Sequence, residues 1–80
     1  MDATRKRWTK EVNDALAGQV IRSVRYMTPA EVEDHDFSSA AVVIQFEDGG
    51  YLIPVSDDEG NDAGAMFAGH FGELVTIPVI

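Results

Sequence analysis

The sequence predicts an α+β fold: an N-terminal helix packed on a four-stranded antiparallel sheet, with one short helix between the first two strands. Three observations carry this. Trp8, Val12, Ala15 and Leu16 recur at i, i+4, i+7 and i+8, the single apolar stripe of an amphipathic helix. Val42, Ile44 and Phe46, then Tyr51, Ile53 and Val55, alternate with other residues on either side of Asp48-Gly49-Gly50, which is a β-hairpin signature. Thr28-Pro29-Ala30-Glu31 combines a threonine cap, a proline in the first turn and a glutamate three residues on, which opens a helix.

The first helix is expected over residues 3–17, closed by Gly18 at the position where a glycine ends helices. Arg5, Lys6 and Arg7 stand at the positive end of its dipole, so the first turn should fray unless acids from elsewhere meet it. Trp8 is expected to anchor either the core or an interface, the core first. Residues 19–27 read as a strand with mixed faces: Val20, Val24 and Tyr26 fall with Arg22, and Ile21 and Met27 with Ser23 and Arg25. The short helix after it ends near His35-Asp36, with Phe37 pinning its exit.

For the hairpin, an Asp48-Gly49 turn sets Phe46 opposite Tyr51, and a Gly49-Gly50 turn sets Phe46 opposite Ile53. Both place Ile44, Phe46 and Ile53 on one face. Pro54 has no N–H for a ladder and favours the second register, at an edge of the sheet. Ser56 to Gly64 is a loop by composition, and residues 65–68 form one helical turn capped by Asp62. Gly69-His70-Phe71-Gly72 makes a bend. Glu73 to Ile80 is the last strand, demoted to an edge by Pro78. With both proline-bearing strands at edges, the spatial order is 4-1-2-3, barrel-like if curvature is strong.

Eighty residues make one domain, spanning 1–80. A chain of this size buries only about 60% of its unfolded surface. With no cysteine there is no disulfide or zinc–thiolate site to add stability, which leaves oligomerisation. No apolar run approaches the roughly 20 residues that span a bilayer, and Arg5-Lys6-Arg7 does not open a signal peptide. A cytoplasmic protein is expected. The net charge of −8 argues against nucleic acid or anionic membrane as partner. Four of the six basic residues lie in the first ten, whereas from Glu11 onward thirteen acids face only Arg22 and Arg25.

The candidate site is the loop bearing Asp57, Asp58, Glu59, Asn61 and Asp62, whose oxygens suit a hard cation or a protein partner. The spacing is not that of an EF-hand, because no glutamate falls at the twelfth position. The same residues also suit a plain turn, with an aspartate side chain bonding the backbone and Gly60 at positive φ. His35 and His70 have no nucleophile constellation around them, no serine sits in an elbow motif, and no lysine comes after the glycines as a phosphate loop requires. No catalytic residue and no cofactor is assigned.

Ile44 to Phe46, Asp48-Gly49, Leu52 to Pro54, Asp57-Asp58-Glu59-Gly60-Asn61 and Gly64-Ala65, with Ile21 to Tyr26 upstream, resemble a group of small uncharacterised bacterial proteins. The resemblance covers residues 18–67 and implies a bacterial source and no assigned activity. The residues support three readings: a non-catalytic interaction module forming a homodimer or binding another protein; a divalent-cation-binding or hydrolase-accessory protein using the acidic loop; and an acidic mimic of nucleic acid.

Overall fold

The computed structural model describes residues 2–70 and 72–80. The order of elements is α1 (Ala3–Leu16), β1 (Ile21–Tyr26), α2 (Pro29–Asp34), β2 (Val42–Phe46), β3 (Tyr51–Leu52), β4 (Met66–His70) and β5 (Glu73–Ile77). The chain is α+β and its strands pair antiparallel, as expected.

The single four-stranded sheet with order 4-1-2-3 is not formed. There are two sheets, β1-β2-β3 and β4-β5, and no barrel closes. The last strand pairs with residues 66–70, for which the sequence suggests a helical turn and a bend, and does not return to β1. Gly72 at φ 81° lets the chain reverse between β4 and β5; Phe71, also part of the expected bend, lies outside the described residues. A hairpin closes a loop of a few residues, whereas return to β1 closes one of about fifty, and loop-closure entropy favours the former. The chain end still comes back: Tyr26 Oη donates to Pro78 O at 2.8 Å, and Ile80 N donates to Ala40 O at 3.1 Å.

In the β2–β3 hairpin the turn is neither expected pair. Phe46 N donates to Gly50 O at 2.9 Å, so Glu47, Asp48 and Gly49 form a three-residue loop, with Gly49 at φ 93°. Asp48 Oδ1 accepts from Gly50 N at 2.7 Å and holds it closed. Ile44 therefore faces Leu52 and Gln45 faces Tyr51. The register differs by one residue from that of an Asp48-Gly49 turn and by three from that of a Gly49-Gly50 turn; both differences are odd, so the facing of β3 is reversed. Ile53 packs with Val43 against Met27 and Ala41, while Phe46 lies on the opposite face with Ile44 and Leu52. The shared wall of Ile44, Phe46 and Ile53 does not exist. β3 is an edge strand and ends before Pro54, as the missing N–H requires.

β1 carries a bulge at Arg22: Ile21 pairs with Phe46 but Ser23 pairs with Gln45. The extra residue moves Ile21 onto the face of Val24, which cleans up the mixed pattern read from sequence. One face of the sheet is thus apolar, with Ile21, Val24, Tyr26, Val42, Ile44, Phe46 and Leu52. The other carries Ser23, Arg25, Val43, Gln45, Tyr51 and Ile53, and α2 covers part of it.

α2 forms as its sequence dictates. Thr28 Oγ1 accepts from Glu31 N, and Glu31 Oε1 accepts from Thr28 N at 2.9 Å, a complete capping box. The helix exits through Asp36 at φ 59°, with Phe37 N returning to Val32 O, and Val32 and Phe37 pack on Met27, Ala41 and Val43. α1 also forms where expected, capped by Asp2, and ends in a type II turn with Gly18 at φ 78° and Gln19 N bonded to Leu16 O. It does not pack on the sheet. Among the described residues α1 contacts no strand and buries nothing, and Trp8 is 55% exposed. The expectation that Trp8 anchors the core is corrected: the type II turn aims the helix off its own sheet.

The segments before and after the acidic loop approach closely, with Val55 bridged to Ala63 and Gly64 N bonded to Pro54 O at 3.1 Å. A Cβ on Gly64 would lie 2.9 Å from the carbonyl carbon and oxygen of Val55, backbone atoms that cannot step aside. Gly64→Ala should cost about 2 kcal/mol or more by overpacking. Gly69→Ala, where a Cβ meets nothing within 4 Å, should stay within about 0.5 kcal/mol. Urea unfolding at one fixed protein concentration measures both.

Candidate functional site

The acidic loop closes on itself. Asp57 Oδ1 accepts from Glu59 N at 3.0 Å and Asn61 N at 3.2 Å, and Oδ2 accepts from Asn61 Nδ2 at 2.7 Å. Gly60 takes φ 70°, the left-handed turn its glycine allows. These bonds, led by the one from the Asn61 side chain, hold the Asp57 carboxyl below its ordinary range. Asp62 caps no helical turn. Its Oδ1 accepts from Ser38 N at 3.0 Å and Ala63 N at 2.8 Å, and its Oδ2 accepts from Ser38 Oγ. The Ser38 hydroxyl, then the backbone donors, lower its pKa. Asp62 is therefore a tether between the loop and the entry to β2.

Of the five residues singled out from sequence, Asp57, Asn61 and Asp62 spend their side chains on this framework. Asp58 and Glu59 are exposed at the loop tip, with no side-chain hydrogen bond among the described residues. No three carboxylate or imidazole groups converge as a metal set among the described residues. Chemically the loop is a rigid turn presenting two free carboxylates.

A second feature was not read from sequence. Between α2 and the β2–β3 turn lies a cavity of about 170 Å³, floored by Val43 and Ile53 and edged by Arg22, Arg25, Glu31 and Tyr51. Arg25 donates to both oxygens of Glu31, at 2.6 and 3.0 Å, and also to Tyr26 O. This fork ties the first turn of α2 to β1. It and the Thr28 backbone bond pull the Glu31 carboxyl from 4.5 to about 2. His35 Nδ1 is 2.9 Å from Glu31 O, and its ring tilts against Phe37 at 5.5 Å. The Arg25–Glu31 pairing, six residues apart across a strand-to-helix junction, had no sequence signal beyond the capping box itself. The volume is below the 300–1,000 Å³ usual for ligand pockets.

The third feature is the exposed apolar surface. Trp8 and Val12 on α1, Ile21 and Val24 on β1, Leu52 on β3, and Phe67 and Leu74 on the β4–β5 hairpin all stand in solvent. Scattered apolar exposure is ordinary, but contiguous patches mark contact surfaces. No helix among the described residues is long and apolar enough to cross a membrane.

The fold and these surfaces define a small two-sheet α+β protein whose apolar faces are only partly covered. In comparison with known proteins, the chain finds no significant match to any family, curated protein or solved structure.

The Glu31 arrangement has a pH signature. Its folded pKa lies below the unfolded value, so its contribution to stability is complete above about pH 4.5 and lost as pH falls towards about 2. Wild type should therefore lose stability faster than Glu31→Gln across that window. Paired unfolding curves at several pH values test it, and parallel curves would show that the fork contributes nothing.

Proposed function

We propose that this chain is a non-catalytic protein-interaction module that works as a homodimer. One observation carries the reading. The chain exposes 6220 Å², whereas a folded monomer of its mass exposes about 4,700 Å². Its radius of gyration is 14.2 Å, against about 12 Å for a compact domain of this length. The excess of roughly 1,500 Å² per chain exceeds the ~800 Å² each partner gives to a standard interface and falls in the obligate homodimer range.

The core supports the same reading. Only Met27, Ala41, Val42, Val43 and Phe46 are buried among the described residues, and two of them are on the face opposite the other three. So little burial leaves a separate chain at the margin of stability. The β4–β5 pair is a two-stranded hairpin, which is marginal in water without a surface to lie on. Association supplies the missing burial for both. The free carboxylates of Asp58 and Glu59, carried on a rigid loop, then provide a charged rim for contact with a further protein.

Light scattering should give a mass twice the 8.7 kDa of one chain at micromolar concentration. The melting temperature should rise with protein concentration, because pairing is linked to folding. A single-chain mass with a concentration-independent melting temperature would remove the proposal.

A further inference from the structure

We propose that α1 of one copy lies across the apolar face of the β1-β2-β3 sheet of a second copy, which returns its own α1 in the same way. The inference rests on the homodimer reading and names its geometry. Each chain holds two unpartnered apolar surfaces. One is the α1 stripe, where Trp8 is 55% and Val12 52% exposed; the other is the part of the sheet face, beside the buried Val42 and Phe46, where Ile21 is 56%, Val24 59% and Leu52 37% exposed. A two-fold exchange covers both at once, because the same pair of patches recurs on each copy.

The sizes agree. A 14-residue helix is about 21 Å long and ~10 Å across with its side chains. A six-residue strand runs about 20 Å, and three strands span about 10 Å between the outer axes. The connection agrees as well: the type II turn at Leu16–Gln19 directs α1 away from the sheet that comes after it. The helix thus enters solvent as an arm, with its stripe uncovered.

Charge selects the receiving surface. Four basic residues against two acids give α1 a charge of +2, leaving −10 for the rest of the chain. The basic residues Arg5, Lys6, Arg7 and Lys10 surround Trp8, and Arg7 lies 5.2 Å from its ring. Glu47 and Asp48 close one end of the apolar sheet face, next to Phe46 and its partner Ile21. Acids there would meet the basic first turns of the arriving helix, where Asp2 at the cap is the single acid beside Arg5, Lys6 and Arg7 within one chain.

The test uses the full chain, which has one tryptophan and no cysteine. In wild type, Trp8 emission should shift to the blue over the concentration range in which the mass doubles. Chains carrying Val12→Cys should then be mixed with chains carrying Val24→Cys and oxidised. The expected product is a covalent dimer containing one of each. Trp8→Asp should weaken dimerisation about 30-fold or more, as loss of a buried aromatic anchor does. A dimer with unshifted Trp8 emission, or one giving only like-with-like crosslinks, overturns the helix exchange and leaves the homodimer standing. A Val12→Cys/Val24→Cys chain that closes on itself as a monomer also overturns it. A wild-type chain that stays monomeric ends both proposals.

Discussion

The three-residue loop Glu47-Asp48-Gly49 sets the facing of β3 and of Ile53 after it. Because its length is odd, Ile53 turns towards Val43, Met27 and Ala41, and Leu52 turns towards Ile44. A loop one residue shorter would reverse both. Gly49 at φ 93° and the Asp48 side chain bonded to Gly50 N make this length stable. The position of Ile53 then fixes the path of the next dozen residues. Pro54 leaves the ladder, Val55 bridges Ala63, and the acidic loop is held between them. α2 rests on the same face, so the small core is a consequence of the turn.

That arrangement gives the sheet two unequal sides. On one, α2 and Phe37 cover Val43 and Met27, and Arg25 locks the helix down through Glu31. On the other, Val42 and Phe46 are buried, while Ile21 and Val24 remain exposed. The bulge at Arg22 sharpens the contrast by bringing Ile21 to the apolar side. Antiparallel sheets commonly pack one face and turn a polar one to water. Here the second face is apolar as well, and Ile21 and Val24 stand exposed on it beside the buried Val42 and Phe46.

The local elements were legible in the sequence. The stripe of α1, the Thr28–Glu31 capping box and the end of α1 at Gly18 all come from rules acting within a few residues. Pro54 and Pro78 were expected inside edge strands, and instead β3 and β5 stop before them. The meander order β1-β2-β3 was legible too. Facing was not, because Asp48-Gly49-Gly50 suits turns of two and three residues equally, and only cross-strand bonds decide. The strand at residues 66–70 was hidden because Ala65 to Ala68 has no alternating pattern, and Gly69 weakens any strand reading; it exists through its pairing with β5. The amphipathic stripe of α1 implies a covering surface but does not say whose, so its place relative to the sheet was not legible either. In the acidic loop, an aspartate side-chain turn at Asp57 or Asp58 and the positive φ of Gly60 were readable from residue type, and the structure gives the turn to Asp57; the Ser38–Asp62 tether spans 24 residues and left no local trace.

Charge sets a condition on any pairing of two copies. Each chain carries −8, so two copies repel as wholes. At physiological ionic strength the screening length is about 8 Å, shorter than the distance between the centres of two such chains. Long-range repulsion is therefore largely removed, while contacts made within a few ångströms keep their strength. Under those conditions apolar area decides whether association occurs, and local charge decides which surfaces meet. An arrangement that sets like sheet faces together leaves the apolar stripe of both α1 helices uncovered. Placing the basic helix of one chain on the acidic body of the other, as proposed, sets opposite charges together and covers both exposed apolar surfaces.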